Sequence, residues 1–305
     1  MKFALGVDIG GTKTALGLVD SEGQVLSKTS LATDLSLTPD EMVGKMADAA
    51  RTLLSYNGLQ AADLQGIGIG APGPLNTRLG QIAEPPNLRS WWGFPIVQAF
   101  QSHFAAPIVL ENDATAAALA EKWVGAAKTA DHFVYITIST GIGAGIYSHG
   151  RLITGASGNA GDIGHMVVDP AGGACNCGQR GCFEYIASGT AIAREASALL
   201  GRPVTSKEAF ELAFSGQDPA MEQLVHRVFE YMGIGCVTLI NTFDPELIVI
   251  GGGVSQVGSP LFDAVSGYVK RHALNPSGRT TPVIPAELQQ DAGLIGAAAL
   301  IHIKY

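Results

Sequence analysis

The strongest constraint on the fold is a glycine-rich strand–turn–strand pattern that occurs twice in the chain. The first copy, at 8–20, reads DIGGTKTALGLVD, and the second, at 139–150, reads STGIGAGIYSHG. Each copy predicts a strand that runs into a glycine turn and returns as a second strand. Because self-similar segments indicate duplicated units, this echo at a spacing of about 130 residues predicts two related α/β lobes with a cleft between them.

A chain of 305 residues is long enough for two such lobes. The predicted boundary lies near residue 120, between a small α/β domain over 1–120 and a large α/β domain over 121–290. The C-terminal helix, 291–305, is expected to pack back on the small domain. No Ser/Pro-rich linker marks the boundary, which therefore depends on the repeat pattern alone.

Composition excludes several classes of protein. The chain is 47% hydrophobic, which excludes a disordered protein, and its net charge of −8 argues against sequence-independent binding to nucleic acid or to anionic membranes. Apolar runs stay well below the roughly 18 residues of a membrane helix. Asp8 follows the N-terminus too closely for a signal-peptide core, so we expect a cytoplasmic protein.

The spacing of apolar residues predicts most of the remaining elements. A third strand is expected at Val25–Ala32, followed by a helix that begins after Thr38, where Thr38 and Glu41 form a capping box. An alanine-rich helix is expected at Asp113–Val124. The other predicted elements are strands at 65–70, 106–110, 132–140 and 247–250, helices at 187–200, 205–215 and 218–243, and a terminal helix from about residue 291.

The first glycine turn, Asp8-Ile-Gly-Gly-Thr-Lys13, has the composition of a phosphate-binding segment. Its glycines allow the backbone close to an anion, and Thr12 and Lys13 could hold phosphate oxygens. Asp8 at the strand end could hold a hydrated Mg²⁺. The alternative is a tight hairpin with no ligand. The P-loop pattern GxxxxGK[ST] is absent, so a P-loop nucleotide site is excluded.

A formal GxGxxG pattern occurs at 68–73, after a predicted strand. A dinucleotide fingerprint requires a helix to begin at this point, with its N-terminus directed at the pyrophosphate. Pro72 and Pro74 flank the last glycine, and no helical stripe follows it. We therefore expect no nicotinamide cofactor.

Asn112 and Asp113 come between a predicted strand and a predicted helix. Asp113 is consistent with two roles, since an acidic residue at this position can cap the helix or serve as a general base that acts on a substrate hydroxyl together with Asn112. A second glycine run, Gly251-Gly252-Gly253, follows a strand, where it could admit a nucleotide or form a simple turn.

Three of the four cysteines lie close together, in the pattern H-x9-C-x-C-x4-C formed by His165, Cys175, Cys177 and Cys182. Three thiolates and one imidazole suit a closed tetrahedral Zn²⁺ site, which would brace a loop and take no part in catalysis. The alternative is a set of unrelated small core residues. Cys236 lies in an apolar helical run and is expected in the core.

Taken together, these motifs resemble the ROK family (repressors, open reading frames and sugar kinases). The resemblance spans nearly the whole chain, in the family's order. It is carried by DIGGTKTALGLVD at 8–20, GAPGPLN at 70–76, LENDATAAALAE at 110–121, ISTGIGAGI at 138–146, GHM at 164–166 with CNCGQRGCFE at 175–184, VIGGGVS at 249–255 and DAGLIGAA at 291–298.

The resemblance implies a two-lobed actin-like ATPase (ribonuclease H-like) sugar kinase fold of the α/β class with a zinc-braced loop. It implies ATP-dependent phosphorylation of a hexose at the 6-hydroxyl, with Mg²⁺ accompanying ATP, Zn²⁺ as a structural ion and Asp113 as the general base. A homodimer or a higher homo-oligomer is expected, with a role in carbohydrate metabolism, in glycolysis. The implied sugar ligands are Asn87, Asn112, Asp113, Asp162, His165 and Glu184. The implied ATP contacts are Asp8, Gly10, Gly11, Thr12, Lys13, Thr140, Gly141, Gly252 and Gly253.

One residue departs from the family pattern, which usually reads Gly-Glu-x-Gly-His where this chain has Gly161-Asp162-Ile-Gly-His165. Asp is one methylene shorter than Glu, by about 1.5 Å, and this leaves the identity of the sugar open. Glucose is the expected substrate, with an N-acetylhexosamine (N-acetylmannosamine or N-acetylglucosamine) as the alternative. A sugar-sensing regulator of the same family would need a helix-turn-helix before Asp8, where only seven residues stand.

Overall fold

The structure, a computed structural model, describes residues 2–303, which group into two compact units. The first unit comprises residues up to 129 together with 145–161 and those from 287, and the second comprises 130–144 and 162–286. This grouping differs from the predicted division for residues 121–129, 145–161 and 287–290. The predicted domain boundary near residue 120 was inferred from the sequence repeat, and it stays a prediction.

The first unit contains a five-stranded sheet in the order β3-β2-β1-β4-β7. Strands β1, β2 and β3 are antiparallel neighbours, whereas β4 runs parallel to both β1 and β7. The strands are β1 (Phe3–Ile9), β2 (Lys13–Asp20), β3 (Val25–Ala32), β4 (Leu64–Ala71), β5 (Leu75–Asn76), β6 (Gln81–Ile82) and β7 (Ile108–Asn112), and the helices are α1 (Pro39–Tyr56), α2 (Ile96–Gln101), α3 (Asp113–Val124) and α9 (Ala292–His302).

A row of glycines across this sheet admits helix α9 at very short range. Gly6 of β1 pairs with Gly17 of β2 and with Gly68 of β4. A Cβ on Gly6 would lie 2.3 Å from the carbonyl oxygen of Leu294, and a Cβ on Gly68 would lie 1.7 Å from that of Ala297. Only glycine therefore allows the α9 backbone to approach β1 and β4 this closely.

The opposite face of the sheet packs against α1. Alternate residues of β1 such as Leu5 and Val7 join a core that includes Met42 and Met46 of α1, because successive strand residues point to opposite faces. Helix α1 begins as predicted, since the Thr38 side chain accepts from the Glu41 amide and the Glu41 side chain accepts from that of Thr38.

The second unit is built around three parallel strands, with β11 between β8 and β12. Its strands are β8 (Phe133–Ile138), β11 (Leu247–Gly251) and β12 (Val283–Pro285), and its helices are α4 (Phe183–Ala187), α5 (Gly189–Leu200), α6 (Ser206–Phe214), α7 (Pro219–Phe243) and α8 (Ser259–His272). Strand β9 (Ile142–Ser148) follows β8, and its residues from 145 on belong to the first unit, as does β10 (Arg151–Leu152), with which β9 forms a short antiparallel hairpin.

One predicted helix needs correction, and helices α2, α4 and α8 are absent from the predicted set. The helix expected at 187–200 is divided, because Ser188 is extended and its hydroxyl accepts from the Ala191 amide as the N-cap of α5. Helix α8 is absent from the sequence-based expectations. Its buried side chains, Leu261, Val265 and Val269, recur every four residues and form only a narrow apolar stripe.

Over residues 2–303, no helix combines the length and the apolar character that crossing a lipid bilayer demands.

Candidate functional site

The carboxyl ends of β1, β4 and β7 meet at one edge of the first sheet. The register pairs Asp8 with Gly70 and Gly70 with Glu111, so Asp8 and the Asn112–Asp113 pair lie at the same edge. A Cβ built on Gly70 would lie 3.7 Å from the Cα of Asp113 and 3.9 Å from Oδ1 of Asp8. The carboxyl edge of parallel strands is where α/β proteins bind ligands.

Asn112 is the residue that caps helix α3. Its Oδ1 accepts from the backbone amides of Ala114 at 3.0 Å and Thr115 at 3.1 Å. Asp113 is the first residue of the helix, and its own Oδ1 accepts from the Ala114 amide at 2.8 Å. The capping alternative considered for Asp113 is therefore wrong. The positive end of the helix dipole favours the ionised form of its carboxylate.

Asp8 is held in an environment that opposes its ionisation. Burial is the main cause, and the neighbouring charge of Asp113 adds to it, while Lys13 has the opposite effect; together they raise the pKa of Asp8 to about 7. The carboxylate lies against helix α9, where a Cβ on Gly293 would be 2.4 Å from its Oδ2. Near neutral pH, Asp8 can therefore be protonated or ionised, and a nearby cation favours the ionised form.

The turn between β1 and β2 is fixed by backbone and threonine contacts. The Gly10 amide donates to the Lys13 carbonyl at 2.9 Å, and the Thr33 hydroxyl donates to the Gly10 carbonyl at 2.8 Å. Thr12 and Lys13 are exposed on this turn. Asn87, also exposed, lies above it, since a Cβ on Gly11 would be 3.4 Å from its Nδ2. The structure thus brings a predicted sugar ligand to a predicted phosphate turn.

Glu111 was not anticipated from the sequence. It is 4% exposed, and its Oε1 accepts from the Asn112 amide at 2.8 Å. Burial raises the pKa of Glu111 to about 7, although the hydrogen bond from Asn112 opposes the shift. An acidic residue in the buried end of a strand, directly before Asn112, was the feature that could have indicated it.

In the second unit, the turn after β8 is hydrogen-bonded to the first residues of α4 and α5. The Ile142 amide donates to Oε2 of Glu184 at 2.8 Å, and the Gly189 amide donates to the Ser139 carbonyl at 2.7 Å. Thr140 is exposed at the tip of this turn. The turn is therefore held by contacts with α4 and α5 in addition to its own hydrogen bond from the Ser139 amide to the Gly141 carbonyl.

The glycine run after β11 lies beside the same turn. A Cβ on Gly252 would be 2.4 Å from the Ile138 carbonyl oxygen, and a Cβ on Gly253 would have Ser139 Oγ as its nearest neighbour at 4.0 Å. The predicted ATP contacts Thr140, Gly141, Gly252 and Gly253 thus lie together within the second unit.

The zinc pattern forms a compact cluster of donors. One ligand atom from each of His165, Cys175, Cys177 and Cys182 lies within 4.8 Å of all the others. The sulfurs of Cys177 and Cys182 are 3.6 Å apart, and Cys175 Sγ is 3.7 Å from Nδ1 of His165. Sulfurs bound tetrahedrally at about 2.3 Å would be about 3.8 Å apart, so the four donors fit a zinc ion.

The loop around the cluster supports this geometry. The Gln179 side-chain amide donates to the His165 carbonyl at 3.1 Å, and the Cys175 amide donates to the Gln179 carbonyl at 2.8 Å. All four cysteines are free thiols, and Cys236 is buried in α7 as expected. Burial raises the pKa of the Cys236 thiol, which makes it unreactive.

Asp162 begins the short turn that carries His165. Desolvation raises the pKa of its carboxyl; the charge of His165 opposes this shift and that of Glu184 adds to it. Asp162, His165 and Glu184 are therefore electrostatic neighbours within the second unit. All three were predicted to contact a sugar.

The GxGxxG pattern at 68–73 forms no dinucleotide site. Strand β4 ends at Ala71 and the next element is the short strand β5, so no helix begins at the last glycine. The expectation that no helix follows this pattern, made from the prolines at 72 and 74, agrees with the structure.

The fold and these donor sets define an α/β protein with glycine-rich turns, a carboxylate edge and a zinc-type cluster. The ROK family model matches residues 4–304, and the chain belongs to this family. The glucokinase of Thermotoga maritima is 34% identical over 311 residues, covering 97% of this chain and 96% of that protein.

The N-acetylmannosamine kinase of Shigella boydii is 35% identical over 298 residues, covering 97% of each chain. A solved structure of a ROK family glucokinase from Streptomyces griseus, in complex with glucose and AMPPNP, is 33% identical with a TM-score of 0.82 over 98% of each chain. The predicted family and fold class are confirmed.

Proposed function

We propose that this protein is an ATP-dependent hexose kinase that transfers a phosphoryl group to the 6-hydroxyl of glucose. The observation that carries the proposal is Asp113, the first residue of α3, at the same sheet edge as Asp8 and the glycine turn of the first unit. Relatives named glucokinase, similar over nearly the whole chain, support the same activity.

In the proposed reaction, Asp113 accepts the proton of the sugar hydroxyl as the oxygen attacks the γ-phosphorus of ATP. The new O–P bond forms while the bond between the γ-phosphorus and the β–γ bridging oxygen breaks, and ADP leaves with that oxygen. Catalysis of this kind depends on orientation and on neutralising charge. A general base at this position contributes about 10²–10⁴-fold to the rate.

The sugar would be held by polar side chains. Because Oδ1 of Asn112 is engaged as the helix cap, its Nδ2 is the atom that can donate to a sugar hydroxyl. The proposed sugar ligands are Asn87, Asn112, Asp113, Asp162, His165 and Glu184. Their carboxylates and amides are the polar groups that distinguish one hydroxyl pattern from another.

The ATP phosphates would meet the two glycine turns. Backbone amides and the Thr12 hydroxyl supply donors, and Lys13 supplies the positive charge. The proposed ATP contacts are Asp8, Gly10, Gly11, Thr12, Lys13, Thr140, Gly141, Gly252 and Gly253. Mg²⁺ bound with ATP would neutralise phosphate charge, and the carboxylate of Asp8, with that of Asp113 nearby, is the hard oxygen donor that this ion prefers.

The zinc ion proposed for His165, Cys175, Cys177 and Cys182 would be structural, since four protein donors complete its coordination. It would hold the loop that carries His165 and the start of α4 that carries Glu184. Both proposed sugar ligands would thus be fixed by one metal ion.

The second candidate function is an N-acetylmannosamine kinase, favoured by Asp162 and by relatives of that name at similar identity. A carboxylate withdrawn by about 1.5 Å leaves room for a larger substituent on the sugar. Glucose is preferred because a relative whose structure was solved with glucose and AMPPNP is 33% identical over 98% of this chain.

The test is a panel of initial rates with ATP and Mg²⁺ on glucose, N-acetylglucosamine, N-acetylmannosamine, mannose and fructose. Turnover should be highest on glucose, with the phosphate at the 6-position by NMR. Highest turnover on an N-acetyl sugar would support the second candidate. Sugar binding without turnover on any sugar would contradict a kinase and support a sugar-sensing protein of the same family.

We also propose that the protein is cytoplasmic and that it acts in glycolysis, because ATP and free glucose are its proposed substrates. We further propose that it forms a homodimer or a larger homo-oligomer. Sedimentation velocity across a concentration range would test the assembly, and a monomer at all concentrations would contradict it.

A further inference from the structure

Glu184 makes a contact that its proposed role as a sugar ligand does not use. Its Oε2 accepts from the Ile142 amide at 2.8 Å, directly after the turn that carries Thr140 and Gly141. A Cβ on Gly141 would lie 2.4 Å from the same oxygen. The carboxylate therefore occupies the space under the turn that a side chain at 141 would fill.

The other wall of this space is Gly164, the residue before His165. A Cβ on Gly164 would lie 3.2 Å from Cβ of Glu184 and 2.3 Å from the Ile142 carbonyl oxygen. The side chain of Glu184 is thus enclosed between the turn after β8 and the segment that carries a proposed zinc ligand. Two glycines that lie 23 residues apart in the sequence leave the space that it occupies.

The backbone around Glu184 connects the same two segments. The Phe183 amide donates to the Met166 carbonyl at 2.8 Å, and Val167 pairs with Cys182 in an isolated β-bridge. At the start of α5, the Gly189 amide donates to the Ser139 carbonyl at 2.7 Å. The start of α4 therefore contacts both the metal-binding segment and the glycine turn, and the start of α5 contacts the same turn.

From these contacts we infer that Glu184 is a positioning residue for the Ser139–Gly141 turn, so that it orders the phosphate-donor side of the site in addition to contacting the sugar. The inference rests on the proposed function for the role of the turn in binding ATP. The contact itself, between a carboxylate oxygen and the Ile142 amide, exists whatever the turn binds. A hydrogen bond to a charged acceptor is among the stronger ones in proteins.

The first test measures this contact without any ligand. Hydrogen exchange of the Ile142 amide should become about tenfold faster in Glu184→Ala and stay near the wild-type rate in Glu184→Gln, whose amide oxygen can still accept. Glu211→Ala, an exposed glutamate on α6, is the matched control. Unchanged protection of Ile142 in Glu184→Ala would overturn the inference.

The second test measures nucleotide binding by calorimetry, with AMPPNP and Mg²⁺ and no sugar. Glu184→Ala should raise the dissociation constant for AMPPNP by about tenfold. The dissociation constant of Glu184→Gln should stay within about twofold of the wild-type value. A pure sugar ligand predicts no change in either variant, and that result would overturn the inference. A wild-type protein that binds no nucleotide would contradict the proposed function, and the exchange experiment would still decide the role of Glu184.

A double-mutant cycle distinguishes a specific contact between Glu184 and Gly141 from a general loss of folding. Gly141→Ala places a methyl group against the Glu184 carboxylate and should weaken AMPPNP binding by at least about tenfold. In the Glu184→Ala background the methyl group has space, so the same substitution should cost less than about threefold. Equal losses in both backgrounds would show that the two residues act independently, which would contradict the inference.

Discussion

The carboxylate of Asp8 lies against Gly293, the second residue of helix α9, at a distance that leaves no space for a side chain at 293. Helix α9 therefore forms one wall of the pocket that desolvates Asp8. The C-terminal block DAGLIGAA thus contributes to the carboxylate edge of the first unit, although it lies almost 300 residues away in the sequence.

The buried carboxyls of this edge predict a pH dependence of stability. The pKa of Glu111 is raised by burial from 4.5 to about 7, and that of Asp8 from 3.8 to about 7. The folded state binds these protons more tightly than the unfolded chain, so ionisation opposes folding. Their contribution to the free energy of unfolding therefore falls as pH rises from about 4 to about 7 and is constant above that.

Glu111→Gln should remove the part of this slope that Glu111 causes, on the order of 3 kcal/mol between pH 4.5 and 8. Urea unfolding at several pH values measures it, with Asp48→Asn, an exposed carboxyl on α1, as control. A variant whose stability follows the wild-type pH profile would contradict the assignment of a raised pKa to Glu111.

The glycine row under α9 predicts a large asymmetry between two Gly→Ala substitutions. Gly68→Ala places a methyl group 1.7 Å from the Ala297 carbonyl and should destabilise the protein by about 3 kcal/mol or more. Gly44→Ala, in helix α1 with open space around it, should stabilise it by about 0.5–1 kcal/mol. Thermal unfolding of both variants tests the pair, and a tolerated alanine at 68 would mean that α9 can move away from the sheet.

Local patterns predicted much of the fold because they depend on neighbours in the sequence. Strand β3 and helix α3 have the predicted bounds, Val25–Ala32 and Asp113–Val124, since alternation and helical spacing are properties of short segments. Asn112 and Asp113 both suit a helix start, and the sequence could not show that Asn112 is the cap.

Long-range contacts explain what the sequence could not show. Serine is favoured at a helix N-cap but also occurs inside helices, so Ser188 alone did not place the break, which coincides with the hydrogen bond from Gly189 to Ser139, 50 residues away. The contact between Glu184 and Ile142 and the burial of Glu111 likewise depend on how distant segments pack. The zinc-type cluster was predictable because its four donors fall within one short stretch.

The donor cluster predicts about one zinc ion per chain, measurable by elemental mass spectrometry of protein purified without chelator. Cys177→Ser should lose the ion and lower the melting temperature, because metal binding to a closed site contributes directly to folding free energy. Cys236→Ser, which changes a buried thiol outside the cluster, should keep the metal. A Cys177→Ser variant with full zinc content would contradict this coordination.

Asp162 predicts a change in sugar preference. Asp162→Glu extends the carboxylate by about 1.5 Å and should raise the ratio of kcat/KM for glucose over N-acetylmannosamine by about tenfold or more. Asp263→Glu, on the exposed face of α8, repeats the same chemical change away from the site and should leave the ratio unaltered. An unchanged ratio in Asp162→Glu would show that the length of this side chain does not select the sugar.

The position of Asp113 predicts a loss of rate without a loss of structure. In Asp113→Asn the amide oxygen can still accept from the Ala114 amide, and Asn112 still caps α3, so the melting temperature should stay within a few degrees of wild type. The variant cannot accept the hydroxyl proton, and kcat should fall by about 10²–10⁴-fold while the dissociation constant for glucose changes little. Steady-state rates and calorimetry on both proteins measure this split, with Asp48→Asn as the surface control. A fall in glucose affinity that accounts for the whole loss would make Asp113 a binding group and would leave the proposed transfer without its base.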